Sequence, residues 1–164
     1  MTQTKASNKT KKFMTVLTWI IVFECISYGL GQLSDSNITP WYAGINKSPL
    51  TPPGFVFGIV WPILYAMIAI TGWSLWTHRK HPKTKPALVF YSIQMLSNWA
   101  WSPLFFHFHL ITASFVCIIC TTVFTLMTIL ATKNHNKLCS LMLTPYFLWL
   151  LFASYLNCVT WVLN

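Results

Sequence analysis

The hydrophobic pattern divides the chain into five apolar runs separated by polar links: Phe13 to about Leu33, Gly54–Thr77, Ala87–Phe106, Leu110–Thr132 and Leu138–Leu163. The second run contains no Asp, Glu, Lys or Arg. As a helix rising about 1.5 Å per residue it reaches about 36 Å, enough to cross a hydrocarbon layer of about 30 Å with some tilt. Lipid offers no partners to backbone N–H and C=O groups, so each run must satisfy its own backbone as a helix. The pattern predicts an all-α fold, an integral membrane bundle of five transmembrane helices over 13–164. A polar, basic tail over 1–12 precedes it and is expected to be disordered. Short links at 78–86, 107–109 and 133–137 favour antiparallel neighbours. The longest connection, 34–53, carries prolines at 49, 52 and 53 and feeds a stiff aromatic loop into the second helix. The stretch Trp41–Trp76 holds four of the nine tryptophans. No internal repeat of the inverted-transporter kind is visible.

Composition strengthens the membrane reading. Only 8% of residues are charged and 55% are hydrophobic, with mean hydropathy +0.55, whereas a soluble domain carries about a quarter charged residues. The net charge of +9 would suggest nucleic acid in a soluble protein. Here the basic residues sit in links between apolar runs without an RNA-binding motif, so topology accounts for them and no nucleic-acid partner is expected. The tail (Lys5, Lys9, Lys11, Lys12), the 78–86 link (Arg79, Lys80, Lys83, Lys85) and the 133–137 link (Lys133, Lys137) hold ten of the eleven Lys and Arg; the other side holds only Lys47. The positive-inside rule then places the N-terminus in the cytoplasm and the C-terminus outside. The Trp41–Pro53 loop falls on the outer face. No cleavage site of the signal-peptide type follows the first run.

The cysteines Cys25, Cys117, Cys120, Cys139 and Cys158 are odd in number and scattered, not a disulfide framework. Cys117 and Cys120 form a C-x-x-C inside an apolar run and read as small packing residues. His78, His81, His107, His109 and His135 all lie in links or at helix ends. None can serve as a mid-membrane haem ligand, and no metal or cofactor is expected. There is no Walker motif, nucleophile elbow or HExxH.

The candidate chemistry lies inside the runs. In the second, Trp61 and Tyr65 are four apart on one face, and Pro62 removes a backbone donor beside them. They are either an interfacial aromatic belt or one wall of a site. In the third, Gln94 and Asn98 are four apart, with Tyr91, Trp101 and Phe105 on the same stripe. Two amides in hydrocarbon need partners: other helices, a ligand, or both. In the fifth, Tyr146, Trp149, Leu150, Ala153 and Asn157 share a face, where small Ala153 leaves room for a flat group; bundle packing alone would also produce this stripe. Glu24, in the middle of the first run, is a functional candidate by its cost, or a protonated group bonded to a neighbouring helix.

Three motifs in order carry a family likeness. Trp41, Tyr42, Lys47, Pro52, Pro53, Val56, Phe57, Val60, Trp61, Leu64 and Tyr65 form the first. Gln94, Asn98, Trp101, Pro103, Phe105 and Phe106 form the second, and Pro145, Tyr146, Trp149, Leu156 and Asn157 the third. Over about residues 38–164 the chain resembles the translocator protein family, also called tryptophan-rich sensory proteins or peripheral benzodiazepine receptors. The resemblance implies a five-helix bundle, often a homodimer, with a pocket roofed by the loop between helices 1 and 2. That pocket takes porphyrins and similar flat hydrophobic molecules in the membrane, as a receptor or carrier in tetrapyrrole homeostasis and stress. Carried over by position, it includes Trp41, Tyr42, Trp61, Asn98, Trp149 and Ala153. In bacterial members, tryptophans at Trp61 and Trp149 are tied to light- and oxygen-dependent breakdown of protoporphyrin, which keeps an enzymatic alternative open. A proton-coupled transporter using Glu24 is a third reading. The sterol-recognition pattern of animal members is not met, since no Lys or Arg follows Leu151 and Tyr155 before Asn164.

Overall fold

Five helices carry the chain: α1 (Thr2–Asn37), α2 (Gly54–Thr77), α3 (Thr84–Ser102), α4 (Ile111–Thr132) and α5 (Lys137–Leu163). The computed structural model describes the backbone of residues 2–37 and 41–164 and the side chains of residues 9–32 and 41–164. The side chains of Lys5 and Asp35, and the backbone of 38–40 in the long connection, lie outside the described residues.

The helix ends have local causes. Pro53 sits at φ −57° and ψ 149°, an extended conformation, and α2 begins one residue later. At the other end of α2 the His78 N–H donates to the Ser74 carbonyl at 3.2 Å, and His78 Nδ1 lies 2.7 Å from the same oxygen. Pro103 ends α3 because it brings no N–H to the ladder. The chain widens there into a π turn over Pro103–His107, closed by the Phe108 N–H on the Pro103 carbonyl at 3.0 Å. His109 follows in the left-handed region at φ 56°, and α4 starts. Asn136 caps α5, its side chain accepting from the Cys139 N–H at 3.5 Å.

The helices close a circuit: α3 packs on α4, α4 on α5, α5 on α2 and α2 on α1, and α1 returns to α3 and the π turn. Small residues permit the tight contacts. On α4 the buried positions include Thr121, Thr125, Thr128 and Thr132, each donating to the carbonyl one turn back at 2.7–2.9 Å. Their hydroxyls are thus satisfied without a neighbour, while their size lets α3 and α5 approach. Gly72 plays this part on α2. A Cβ there would meet the Tyr91 hydroxyl and the Trp19 ring, and Tyr91 Oη donates to the Ile68 carbonyl at 2.9 Å. Outward-facing Ile59, Ile63, Leu96, Val116, Leu130 and Leu148 are exposed in the isolated chain. A polar solvent would make this surface unfavourable; lipid makes it ordinary.

Two expectations need correction. Among the described residues four helices, not five, are long and apolar enough to cross a membrane, with α1 contributing Lys9–Gln32. The exception is α3, whose 19 residues include Thr84, Lys85, Ser92, Gln94, Ser97 and Asn98. These polar groups lower its hydropathy, and prolines at 86 and 103 bound it. The protein is an all-α, multi-pass membrane bundle of five helices. The N-terminal segment is also helical from Thr2 rather than disordered. Helix propensity does not stop where hydropathy does: Lys, Gln and Ala continue a helix well.

A candidate ligand cavity under the α1–α2 loop

The α1–α2 loop covers one end of the bundle, opposite the basic connectors. Lys47 organises it. Its ammonium donates to the Tyr42 carbonyl and, at 3.0 Å, to the Ile45 carbonyl, and lies 4.6 Å from the Tyr42 ring centroid. The loop is fastened to the end of α5 through Asn46 and Ser48, and Asn46 Nδ2 donates to the Leu163 carbonyl at 3.4 Å. Asn164 behaves as a strand partner toward Asn46: its Oδ1 accepts from the Asn46 N–H at 3.0 Å and its Nδ2 donates to the Asn46 carbonyl at 2.9 Å. The buried Ser48 hydroxyl sits 3.3 Å from Tyr155 Oη. Aromatic contacts hold the other edge. Trp41 stacks on His109 at 4.2 Å and meets Phe105 edge-on at 5.3 Å, while Tyr42 packs edge-on against Phe105 and Phe106. Burial pushes the Tyr42 phenol above its ordinary pKa, so it stays neutral.

Beneath the loop lies a cavity of about 560 Å³, within the span of roughly 300–1,000 Å³ usual for small-molecule sites. Ser27 and Leu30 of α1, Phe57, Trp61 and Tyr65 of α2, Asn98 and Trp101 of α3, Phe105 and Phe106 of the π turn, Thr121 of α4 and Ala153 and Asn157 of α5 all line it. Among the described residues no charged side chain is in the lining. On α2 the wall is a stripe at helical spacing, Phe57–Trp61–Tyr65, and Pro62 lies within it. Trp101 stacks on Phe105 at 5.2 Å and 11°.

Below the cavity a polar network ties four helices together. Tyr65 Oη donates to Asn98 Oδ1, and Asn98 Nδ2 donates to Tyr146 Oη at 2.8 Å. Tyr146 Oη donates in turn to Gln94 Oε1 at 3.2 Å, and Thr125 Oγ1 lies 3.5 Å from that oxygen. Gln94 and Tyr146 are wholly buried. A network of this kind positions its members rigidly because each hydroxyl and amide orients the next.

The sequence-derived candidates therefore separate. Tyr42, Trp61, Tyr65, Asn98, Trp101 and Ala153 face the cavity. Gln94 and Tyr146 hold Asn98 from below. Trp41 braces the loop from outside the lining. Trp149 is half-buried and packs edge-on against Phe57 at 5.8 Å, behind the α2 wall. Glu24 is also half-buried and not in the lining. Phe57 and Trp99 belong to the walls without having been candidates. Phe57 lies one turn before Trp61, so its helical spacing was the available signal; Trp99 carries none, being adjacent to Asn98 rather than on its face.

Comparison with known proteins identifies the family. The family model for the TspO/MBR family matches residues 13–162. The tryptophan-rich protein TspO of Archaeoglobus fulgidus is 33% identical over 145 residues, covering 88% of this chain and 94% of that protein. That of Bacillus cereus is 32% identical over 152 residues, covering 88% and 95%. The human translocator protein is 31% identical over 123 residues, covering 74% and 73%. With a family model spanning nearly the whole bundle, and similarity extending over most of each relative, the chain belongs to the TspO/MBR family.

Proposed function

We propose that the protein is a membrane receptor or carrier for porphyrins, protoporphyrin IX in particular, and for similar flat hydrophobic molecules, acting in tetrapyrrole homeostasis and stress response. One observation carries this: a loop-covered cavity of about 560 Å³, with no charged side chain among the described lining residues, walled by Phe57, Trp61, Trp101 and Phe105. Aromatic faces favour a flat conjugated ligand by offset stacking, and the small Ala153 gives such a ligand room. Supporting it, relatives of similar length are called tryptophan-rich protein TspO and translocator protein. Titrating protoporphyrin IX into the purified protein should quench tryptophan fluorescence in a saturable way. Fluorescence that stays constant across the titration would count decisively against the proposal.

In this reading α3 also crosses the bilayer, as a fifth span whose polar groups face its neighbours. The basic connectors face the cytoplasm and the loop-covered end faces outward. Lys12 lies 5.2 Å from the Trp73 ring and Arg79 4.6 Å from the Trp76 ring, so the described basic residues of the first helix gather at the same bundle end as the 78–86 link. A photo-oxidative porphyrin-degrading activity is favoured by a separate observation: Trp61 meets the cavity directly. Illumination of the protein with protoporphyrin in air should then bleach the porphyrin band, and Trp61→Phe should slow the bleaching more than Trp149→Phe. Equal rates for wild type and Trp61→Phe remove that reading.

A further inference from the structure

The end of the bundle away from the loop carries charge of one sign. The first turns of α1, the 78–86 link and the 133–137 link all bring cations there. The two side-chain carboxylates lie further along α1, Glu24 past its middle and Asp35 in its last turn. No described carboxylate therefore offsets the charge. The cations turn instead to neutral partners. Arg79 Nη1 donates to the Trp76 carbonyl at 2.8 Å with its guanidinium over the Trp76 ring, and Lys12 lies over the Trp73 ring. Topology accounts for lysines in the links. It does not account for the histidines set among them.

Where the two links meet, His81 and His135 stack, with ring centroids 6.1 Å apart and planes 14° from parallel. The links are pinned in place. Asn136 Nδ2 donates to Ser74 Oγ of α2 at 2.9 Å. The His135 N–H donates to the Thr132 carbonyl and the Thr84 N–H to the His81 carbonyl, both at 3.0 Å. The Lys83 N–H donates to His81 Nδ1 at 3.3 Å, so the neutral His81 ring carries its proton on Nε2. His135 Nε2 is buried without a partner. Two imidazoles face to face beside a lysine become charged together only at a cost that an anion between them removes. The flanking helix surface is apolar: Trp76 at the end of α2 and Leu138 and Leu141 at the start of α5 are exposed.

We propose that this end of the bundle binds an anionic phospholipid, its phosphate seated where the two links meet, on His81, Lys83 and His135. A phosphate oxygen accepts from His81 Nε2 and from the Lys83 ammonium, and its charge offsets the surrounding cations. Trp76, Leu138 and Leu141 give the acyl chains a surface, which a free anion would leave uncovered. A zwitterionic headgroup would bring a further cation to a place already rich in them.

The test uses the full chain in phosphatidylcholine vesicles, with nitroxide-labelled phosphatidylglycerol or phosphatidylcholine as tracer. Electron paramagnetic resonance reads the fraction of tracer held at the protein. Phosphatidylglycerol should associate about fivefold more tightly than phosphatidylcholine, the effect of about one cation close to an anionic headgroup. His81→Gln combined with Lys83→Gln, both at exposed positions, should bring that preference to about twofold or less. Lys9→Gln combined with Lys11→Gln takes more formal charge from the same end and should leave it unchanged. Equal association of the two tracers with wild type overturns the proposal, and so does a preference that survives in the link variant. Equal losses in the two variants overturn it as well, since they mark a diffuse basic rim rather than a site. Inorganic phosphate at matched ionic strength should leave the tracer in place; displacement would mark a site for free anions and overturn the lipid as occupant.

Discussion

Tyr146→Phe removes a single oxygen from the centre of the bundle, and its cost can be worked from the network. That oxygen accepts from Asn98 Nδ2 at 2.8 Å and donates to Gln94 Oε1 at 3.2 Å. Without it, the Asn98 N–H has no acceptor. Gln94 Oε1 keeps only the Thr125 hydroxyl at 3.5 Å, which already donates to the Thr121 carbonyl at 2.7 Å. Orphaning a buried polar group costs about 1–3 kcal/mol in soluble proteins, but interhelical bonds in membranes average about 0.6 kcal/mol. Two bonds lost at a fully buried site therefore give about 2 kcal/mol, and at about 2–4 °C per kcal/mol for a chain of this size the melting temperature should fall about 4–8 °C. Tyr65→Phe is the internal control. It deletes one bond, to Asn98 Oδ1, and Tyr65 faces the cavity, where water can replace the lost donor. Its shift should stay below about 3 °C, while its effect on ligand affinity should be the larger of the two. Far-UV circular dichroism of the detergent-solubilised variants during heating reads both shifts. Tyr65→Phe melting as low as Tyr146→Phe, or Tyr146→Phe melting with wild type, would refute the assignment of the network as the structural tie.

Three further outcomes follow from single contacts. Gly72→Ala should lower stability by about 1–3 kcal/mol, measured by the same melt, because the added methyl enters the space of the Tyr91 hydroxyl and the Trp19 ring; Gly72→Ala melting like wild type would show that α1 is free to move aside. Asn164→Ala removes both bonds from that side chain to Asn46, so bound porphyrin should dissociate several-fold faster by stopped-flow fluorescence; an unchanged rate would show that the Leu163 and Tyr155 contacts and the aromatic edge hold the loop without it. Burial, then His81, Lys83 and His78, holds the His135 pKa below its ordinary value of 6.5. The unfolded chain thus binds more protons between the depressed value and 6.5, so stability contributed here rises with pH through that window and is lost on acidification. Melting temperatures at about pH 7.5 and about pH 5.5 should differ less in His135→Asn than in wild type.

The spans were legible because hydropathy measures what lipid selects. The second run coincides with α2, and the fourth and fifth differ from α4 and α5 by one residue at their start. The third run was read through Pro103 to Phe106, but the missing N–H of that proline turns the chain into a π turn. Hydropathy is blind to this because Pro103-Leu-Phe-Phe scores as apolar. In the site, helical spacing brings Trp61 to Tyr65 and Gln94 to Asn98. It cannot say that Trp149 lies behind Phe57, since both are aromatic and share the α2–α5 interface. The fastening of the loop to α5 was not legible at all. Asn46 and Asn164 are 118 positions apart, and only the fold brings them together.

The helix that looks least like a membrane span owes that look to polar residues it keeps inside the bundle. Hydropathy charges each residue of α3 for transfer into lipid, yet Gln94 is fully buried and Asn98 is 7% exposed. They contact other helices and the cavity rather than hydrocarbon, so the penalty is levied on groups that never incur it. The outward side of α3 exposes Val89 and Leu96, apolar like the outward sides of its neighbours. Within this interior, polarity has been divided. Asn98, Tyr65 and Tyr146 spend their polar groups on one another and on Gln94 Oε1 and fix the helices, whereas Gln94 Nε2 is unmade within the network and Asn157 and the Trp99 and Trp101 indoles are unmade in the cavity wall. A bundle selected only for stability has no use for that second set, because apolar replacements of similar shape would remove the desolvation penalty at no loss. Asn157, Trp99 and Trp101 border the cavity, where a bound molecule can reach them, whereas Gln94 Nε2, the Trp149 indole and His135 Nε2 are unmade outside its lining.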